Sequence, residues 1–133
     1  MFMEWSPEFE TGVPEMDKQH RRLLDMANSF HTALKEGEKE KAREILIDFT
    51  KALFNHLRDE ERFMEKIGYP ELENHVKLHR SLAGMIKEVR DEFERNDHRA
   101  FTRSLSLIMS WLLTHIKKSD RKYGIFMREQ ALS

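Results

Sequence analysis

The chain has no cysteine, so disulfides, thiolate ligands and thiol chemistry play no part in it. Glycine and proline are scarce, five and three in 133 residues, which leaves few obligatory helix stops and no linker or low-complexity tract to divide the chain. Nor does one sign of charge dominate. With 23 basic and 24 acidic residues the net charge is -1, which removes the electrostatic motive for binding nucleic acid or an anionic membrane. The longest apolar stretch, Leu105 to Leu113, is too short to span a bilayer and is interrupted by Ser106 and Ser110. The opening MFMEWSPEFE lacks the basic and apolar regions of a secretory signal, so a cytoplasmic location without membrane insertion is expected.

What the sequence does have is helical periodicity. No segment alternates with period two, and no Asn-Gly or Asp-Gly hairpin turn occurs. Four apolar repeats follow one another instead. The first is expected to open at Asp17 as N-cap, to carry Leu23, Leu24, Ala27, Phe30 and Leu34, and to close at Gly37. The second carries Ile45, Leu46, Phe49, Leu53, Leu57, Phe63, Met64 and Ile67 and ends at Gly68. Pro70 is expected to begin the third, which continues through Leu72, Val76, Leu82, Ile86, Val89 and Phe93 to Asn96-Asp97. The fourth starts at Asp97 or shortly after, with Phe101, Leu105, Ile108, Trp111, Leu112 and Ile116 on its stripe, and His98 is assigned to the connection before it. Four such helices with short connections predict an all-α, up-down-up-down antiparallel four-helix bundle, one domain over residues 1–133. Its N-terminal arm, residues 1–13, would be pinned to the side of the bundle by Trp5 and Phe9.

Seven histidines fall at 20, 31, 56, 75, 79, 98 and 115. Residues four apart on an α-helix differ by about 40° of azimuth and one turn of rise, so His56 with Glu60, and His75 with His79, each point one way. Leu53 and Phe63 share the side of His56, Leu82, Ile86 and Phe93 that of His79, Leu24 and Ala27 that of His20, and Ile108, Trp111 and Leu112 that of His115. A single buried histidine would be ordinary core. Five on four inward faces, with Glu60 among them, cost several kcal/mol unless each finds a partner, and a metal supplies partners for all of them together. Asp120 fits less simply. Five residues after His115, it is rotated by about 140° on a regular helix, so a π-type turn or a local break is expected between the two, with Ser119 and Gly124 making it tolerable. His31 shares an azimuth with His20 but stands about 16 Å further along the axis, too far to join the same centre.

The elements DKQH (17 to 20), HLRDE (56 to 60), HVKLH (75 to 79) and HIKKSD (115 to 120) together resemble the hemerythrin family, and more narrowly its single-domain bacterial members. EWSPEF, GYP and WLLTHI strengthen the likeness, which spans essentially the whole chain. The resemblance implies a non-haem di-iron centre, oxo- or hydroxo-bridged, that binds O2 reversibly. In it His75, His79 and His115 would hold one iron, His20 and His56 the other, and Glu60 and Asp120 would bridge the two. On that donor set two octahedral ions keep one open position, on the iron with fewer imidazoles. Leu24 and Leu112 are candidates for the lining of a dry oxygen pocket, and equally serve as ordinary core leucines. Met16, Met26, Met64 and Met109 are expected to fill gaps or lie at the surface.

Three rival readings weigh less. HVKLH has the spacing of a zinc-protease helix, but Val76 stands where that motif needs Glu, and Glu60 and Asp120 would be left without a role. A ferroxidase or oxidase uses a similar site, although ferritin-like di-iron enzymes surround the metals mostly with Glu. An oxygen or redox sensor would pass its state to a partner; no output domain follows Asp120 in this sequence, which favours carriage, storage or delivery to an oxygen-consuming enzyme. The protein is therefore expected not to be an enzyme.

Overall fold

The computed structural model describes residues 3–132, without the side chains at 98, 100, 101 and 132; the expectations for the His98 side chain and for Phe101 on the fourth stripe lie outside the described residues. Helix α1 spans Pro14–Lys35, α2 Lys39–Lys66 and α3 Leu72–Glu94. The fourth limb is compound: α4, His98–His115, runs into a π turn, Ile116–Asp120, and continues as α5, Arg121–Leu132. α1 packs on α2, α2 on α3 and α3 on α4, giving the expected all-α four-helix bundle with no strand among the described residues. Among those residues no helix is long and apolar enough to cross a membrane.

Three helix ends use one device. Gly37, Gly68 and Asn96 adopt φ of 75°, 68° and 58°, the left-handed region that only glycine and, less readily, asparagine enter at low cost. The next amide then turns back onto the helix: Glu38 to the Ala33 carbonyl, Tyr69 to Met64 and Asp97 to Glu92, at 2.9, 2.9 and 3.1 Å. Each such turn reverses the chain within a few residues and satisfies carbonyls that a helix end would otherwise strand.

Two expected boundaries move, and His98, assigned to the connection, is instead the first residue of α4. α1 opens at Pro14, whose fixed φ suits a first helical position, and Val13 is the N-cap. Asp17 is inside the helix and faces backwards, its Oδ1 accepting from the Thr11 amide at 2.8 Å and the Thr11 hydroxyl at 2.7 Å. The arm is thereby tied to the helix that follows it. At the third helix Pro70 belongs to a turn, and α3 begins at Leu72, whose amide reaches the Tyr69 carbonyl at 3.3 Å.

The arm packs as expected: Trp5 and Phe9 lie 5.6 Å apart, partly buried against the main core, with the Arg21 guanidinium 5.0 Å above the indole. Gly124 is needed for this packing. A Cβ there would stand 1.8 Å from the Thr11 carbonyl oxygen, so only glycine lets α5 approach the arm.

Two apolar clusters fill the bundle. The larger includes Leu24, Leu53, Leu82, Ile108, Leu112 and Ile116; the smaller joins Val13, Met16, Met64, Tyr69 and Tyr123. The helices place the polar residues between them. Along α1 the order is Met16, His20, Leu24; along α2 it is Leu53, His56, Glu60, Met64; along the fourth limb it is Leu112, His115, Asp120, Tyr123. Met16, Met64 and Met109 are buried and Met26 half-buried, in keeping with a gap-filling role.

Candidate metal centre

His20, His56, Glu60, His75, His79, His115 and Asp120 are all buried, none more than 5% exposed. The structure brings the seven together at one level of the bundle. They form two overlapping groups able to hold a metal ion: Glu60, His75, His79, His115 and Asp120, and His20, His56, Glu60 and Asp120. His31 is half-buried on α1 and belongs to neither group.

The π turn is what admits Asp120. One extra residue per turn offsets the rotation that five residues of α-helix would impose, and the carboxylate ends 1% exposed, facing inward.

All five imidazoles direct Nε2 at the two carboxylates. Glu60 Oε2 stands 3.2 Å from both His20 and His56, whereas its Oε1 stands 3.3 Å from His75 and 2.9 Å from His79. Asp120 divides in the same way, Oδ2 lying 3.1 Å from His20 and Oδ1 2.9 Å from His75 and 3.1 Å from His115. Each acid therefore gives one oxygen to a half with two imidazoles and the other to a half with three. Both acids are thus shared between the two groups.

Whether this donor set suits metal can be tested on its hydrogen bonds. His79 Nε2 and Asp120 Oδ1 are fully buried and, although close to oppositely charged groups, have no hydrogen bond of acceptable geometry. Their lone pairs are aimed at the space between the residues. Buried polar atoms are rarely left so, and a cation in that space satisfies both. Outer partners hold the rings: Gln19 Oε1 lies 2.6 Å from His56 Nδ1, and Glu61 Oε2 2.9 Å from His79 Nδ1. The Tyr123 hydroxyl donates to Glu60 Oε2 at 2.8 Å, and the Trp111 indole stacks on His115 at 4.9 Å and 11°.

Charge follows the same geometry. Burial lowers the imidazoles of His20 and His75, but Asp120 and Glu60 outweigh it and raise them to about 10 and about 9 from 6.5. Burial raises Glu60 and Asp120, yet the imidazoles around them more than reverse this and hold both below the usual carboxylate range. Burial and the two acids push the Tyr123 hydroxyl upward, so it remains a donor. Without metal, protons bind the cluster together; metal would replace them.

Sequence reasoning gave four of these groups no part in the site. Tyr123 had a signal, three residues beyond Asp120 and so on the same face. Gln19 and Glu61 adjoin ligand candidates in sequence, but which neighbour reaches a ring nitrogen is a matter of helix packing. Trp111 was placed on the core stripe; its stacking on His115 follows from the four-residue spacing.

A four-helix bundle with buried imidazoles and carboxylates grouped between its two apolar clusters is a cation-binding bundle. Residues 11–124 match the family described as the hemerythrin HHE cation binding domain, and the chain belongs to the hemerythrin family. It is 30% identical over 126 residues to a bacteriohemerythrin of Methylococcus capsulatus, covering 92% of this chain and 94% of that protein. A myohemerythrin of Theromyzon tessulatum is 25% identical over 120 residues, 90% of this chain and 89% of the relative. A crystal structure of wild-type hemerythrin superposes with a TM-score of 0.81 at 28% identity, covering 93% of this chain and 96% of the other.

Proposed function

We propose that this protein binds O2 reversibly at a non-haem di-iron centre, for carriage, storage or delivery in the cytoplasm, and that it is not an enzyme. The observation that carries the reading is the division of both carboxylates: one oxygen of Glu60 and one of Asp120 face His20 and His56, the other two face His75, His79 and His115. Two irons held in this way would supply the two electrons that O2 takes up on binding and returns on leaving.

The protein's share is positioning and protection. His75, His79 and His115 would give one iron three imidazoles where His20 and His56 would give the other two, so O2 would be taken up beside α1 and α2. Tyr123 donates to the Glu60 oxygen on that same side, fixing its orientation and keeping it from acting as a base. Leu24 and Leu112, each 2% exposed and one helical turn from His20 and His115, are the proposed apolar lining. By excluding water they would keep external protons from releasing reduced oxygen and leaving the irons ferric. A neutral imidazole majority donates less charge than the carboxylate-rich shells of di-iron oxidases, which favours reversal over further reaction.

Anaerobic loading with ferrous ion followed by air tests this directly. Two irons per chain and a visible charge-transfer band that argon removes are expected. One iron per chain refutes the di-iron reading, and a band that decays at once to the ferric state identifies an oxidase or ferroxidase instead.

A further inference from the structure

One surface is unlike the rest. From Arg99 to Lys122 the fourth limb carries six cations and a single acid, Asp120, which is buried. Of the six, only Lys117 has an acidic partner among the described residues, Glu8 at 3.0 Å. In a protein of net charge -1 this is segregation of charge, with the acids concentrated on the other helices. The centre of the face is apolar. Leu107 is 60% exposed and Leu78 of α3 38%, and with the half-buried Trp111 and the exposed Lys118 they line a groove of about 420 Å3 whose floor reaches His115. The Trp111 indole lies flat on that imidazole, whose Nε2 is 3.1 Å from Asp120 Oδ1 inside the centre. A single aromatic ring joins an outer groove to an inner ligand.

We infer that this face docks an acidic one-electron carrier protein, which re-reduces the oxidised di-iron centre through Trp111 and His115. The inference rests on the di-iron reading above. An oxygen carrier that loses its bound oxygen in reduced form keeps two ferric ions; two carrier molecules, each giving up one electron and becoming oxidised, return both ions to the ferrous state. No bond in the protein is made or broken. Charge complementarity selects the partner: Lys118 lines the apolar groove, and the exposed Arg103 stands one helical turn before Leu107 on the same helix, cations beside an apolar patch of the kind that steers an acidic protein into a small, transient interface. A second copy of this chain is disfavoured, because a two-fold contact through this face would set its cations against one another.

The test uses the iron-loaded protein, oxidised to the diferric state and mixed anaerobically with reduced plant-type ferredoxin as the acidic carrier or with photoreduced lumiflavin as a small, nearly uncharged reductant. Reduction by ferredoxin is expected to slow as salt rises, and the Arg103→Glu, Lys118→Glu double variant to be slower by about tenfold or more. Iron content, oxygen binding and reduction by lumiflavin should be unchanged in that variant. Trp111→Leu should lower the limiting rate at saturating ferredoxin, with Trp111→Phe restoring part of it. Calorimetric titration with oxidised ferredoxin reads docking apart from redox activity, and the double variant should abolish the heat.

The inference is overturned if ferredoxin gives no binding heat, if charge reversal leaves heat and rate unaltered, or if Trp111→Leu slows lumiflavin equally. It is also overturned if the face instead associates with phosphatidylserine vesicles, or if Leu107→Ser dissolves a dimer of the wild type. A protein that holds no iron pair or does not bind oxygen defeats the functional reading. One that binds oxygen normally yet ignores charge on this face defeats the docking inference alone.

Discussion

The two halves of the centre are built to different specifications. On the α3 and α4 side three imidazoles converge, with His79 Nδ1 braced by Glu61 and His115 covered by Trp111. On the α1 and α2 side there are two; Gln19 braces His56, while His20 Nδ1 has no hydrogen-bond partner among the described residues. The difference comes from how ligands are allotted to helices. HVKLH puts two imidazoles on α3, HLRDE spends one of its two inward positions on an acid, and α1 brings only His20 to the cluster. Under the proposed function this inequality matters, since a symmetric donor set would treat both ions alike; the half with more donors would anchor the metals and the other would leave room for a ligand.

Substitutions can break the comparison. The largest effect is expected from Glu60→Ala, which removes an oxygen from each half at once: iron measured by plasma emission should fall to background and the oxygen band vanish. His56→Ala should separate the halves, leaving one iron per chain on His75, His79 and His115 and no reversible band. Retention of two irons in that variant would refute the division of ligands.

The metal-free protein sharpens it further, because each half contains a histidine whose folded pKa is raised, His20 to about 10 and His75 to about 9 from 6.5. Their stabilisation is complete below about 6.5 and is lost as pH rises through 9 to 10. Thermal midpoints of apoprotein should therefore fall between pH 6.5 and 10, and iron loading should flatten the slope, since metal replaces the protons. The outer braces come next: Gln19→Leu and Glu61→Leu should each weaken iron binding by about 10- to 100-fold in competition with a chelator, one half at a time. Tyr123→Phe should have the smallest effect, a loss of about 1 kcal/mol in the chemical denaturation of the loaded protein.

Much of this was legible before any coordinates. Period 3.6 gives the helices, and scarce glycine marks their ends, because Gly37 and Gly68 take up backbone angles that side chains resist. The i, i+4 pairs fixed His56 with Glu60 and His75 with His79, and the mismatch of His115 with Asp120 implied the π turn at Ile116–Asp120. The helix starts were less legible. Asp17 has the chemistry of an N-cap but spends its carboxylate on Thr11, and Pro70 suits a first turn but serves the connection, since either role satisfies the same local preference.

Spacing along one helix is a property of covalent geometry, so the sequence by itself determined which residues share a face and that four faces carry ligands. Which oxygen of Glu60 or Asp120 meets which imidazole, which side chain braces each outer ring nitrogen, and the contact of Gly124 with Thr11 depend on the rotation and separation of neighbouring helices. Those are set by the packing of the whole core, a collective outcome that no single stretch of sequence contains.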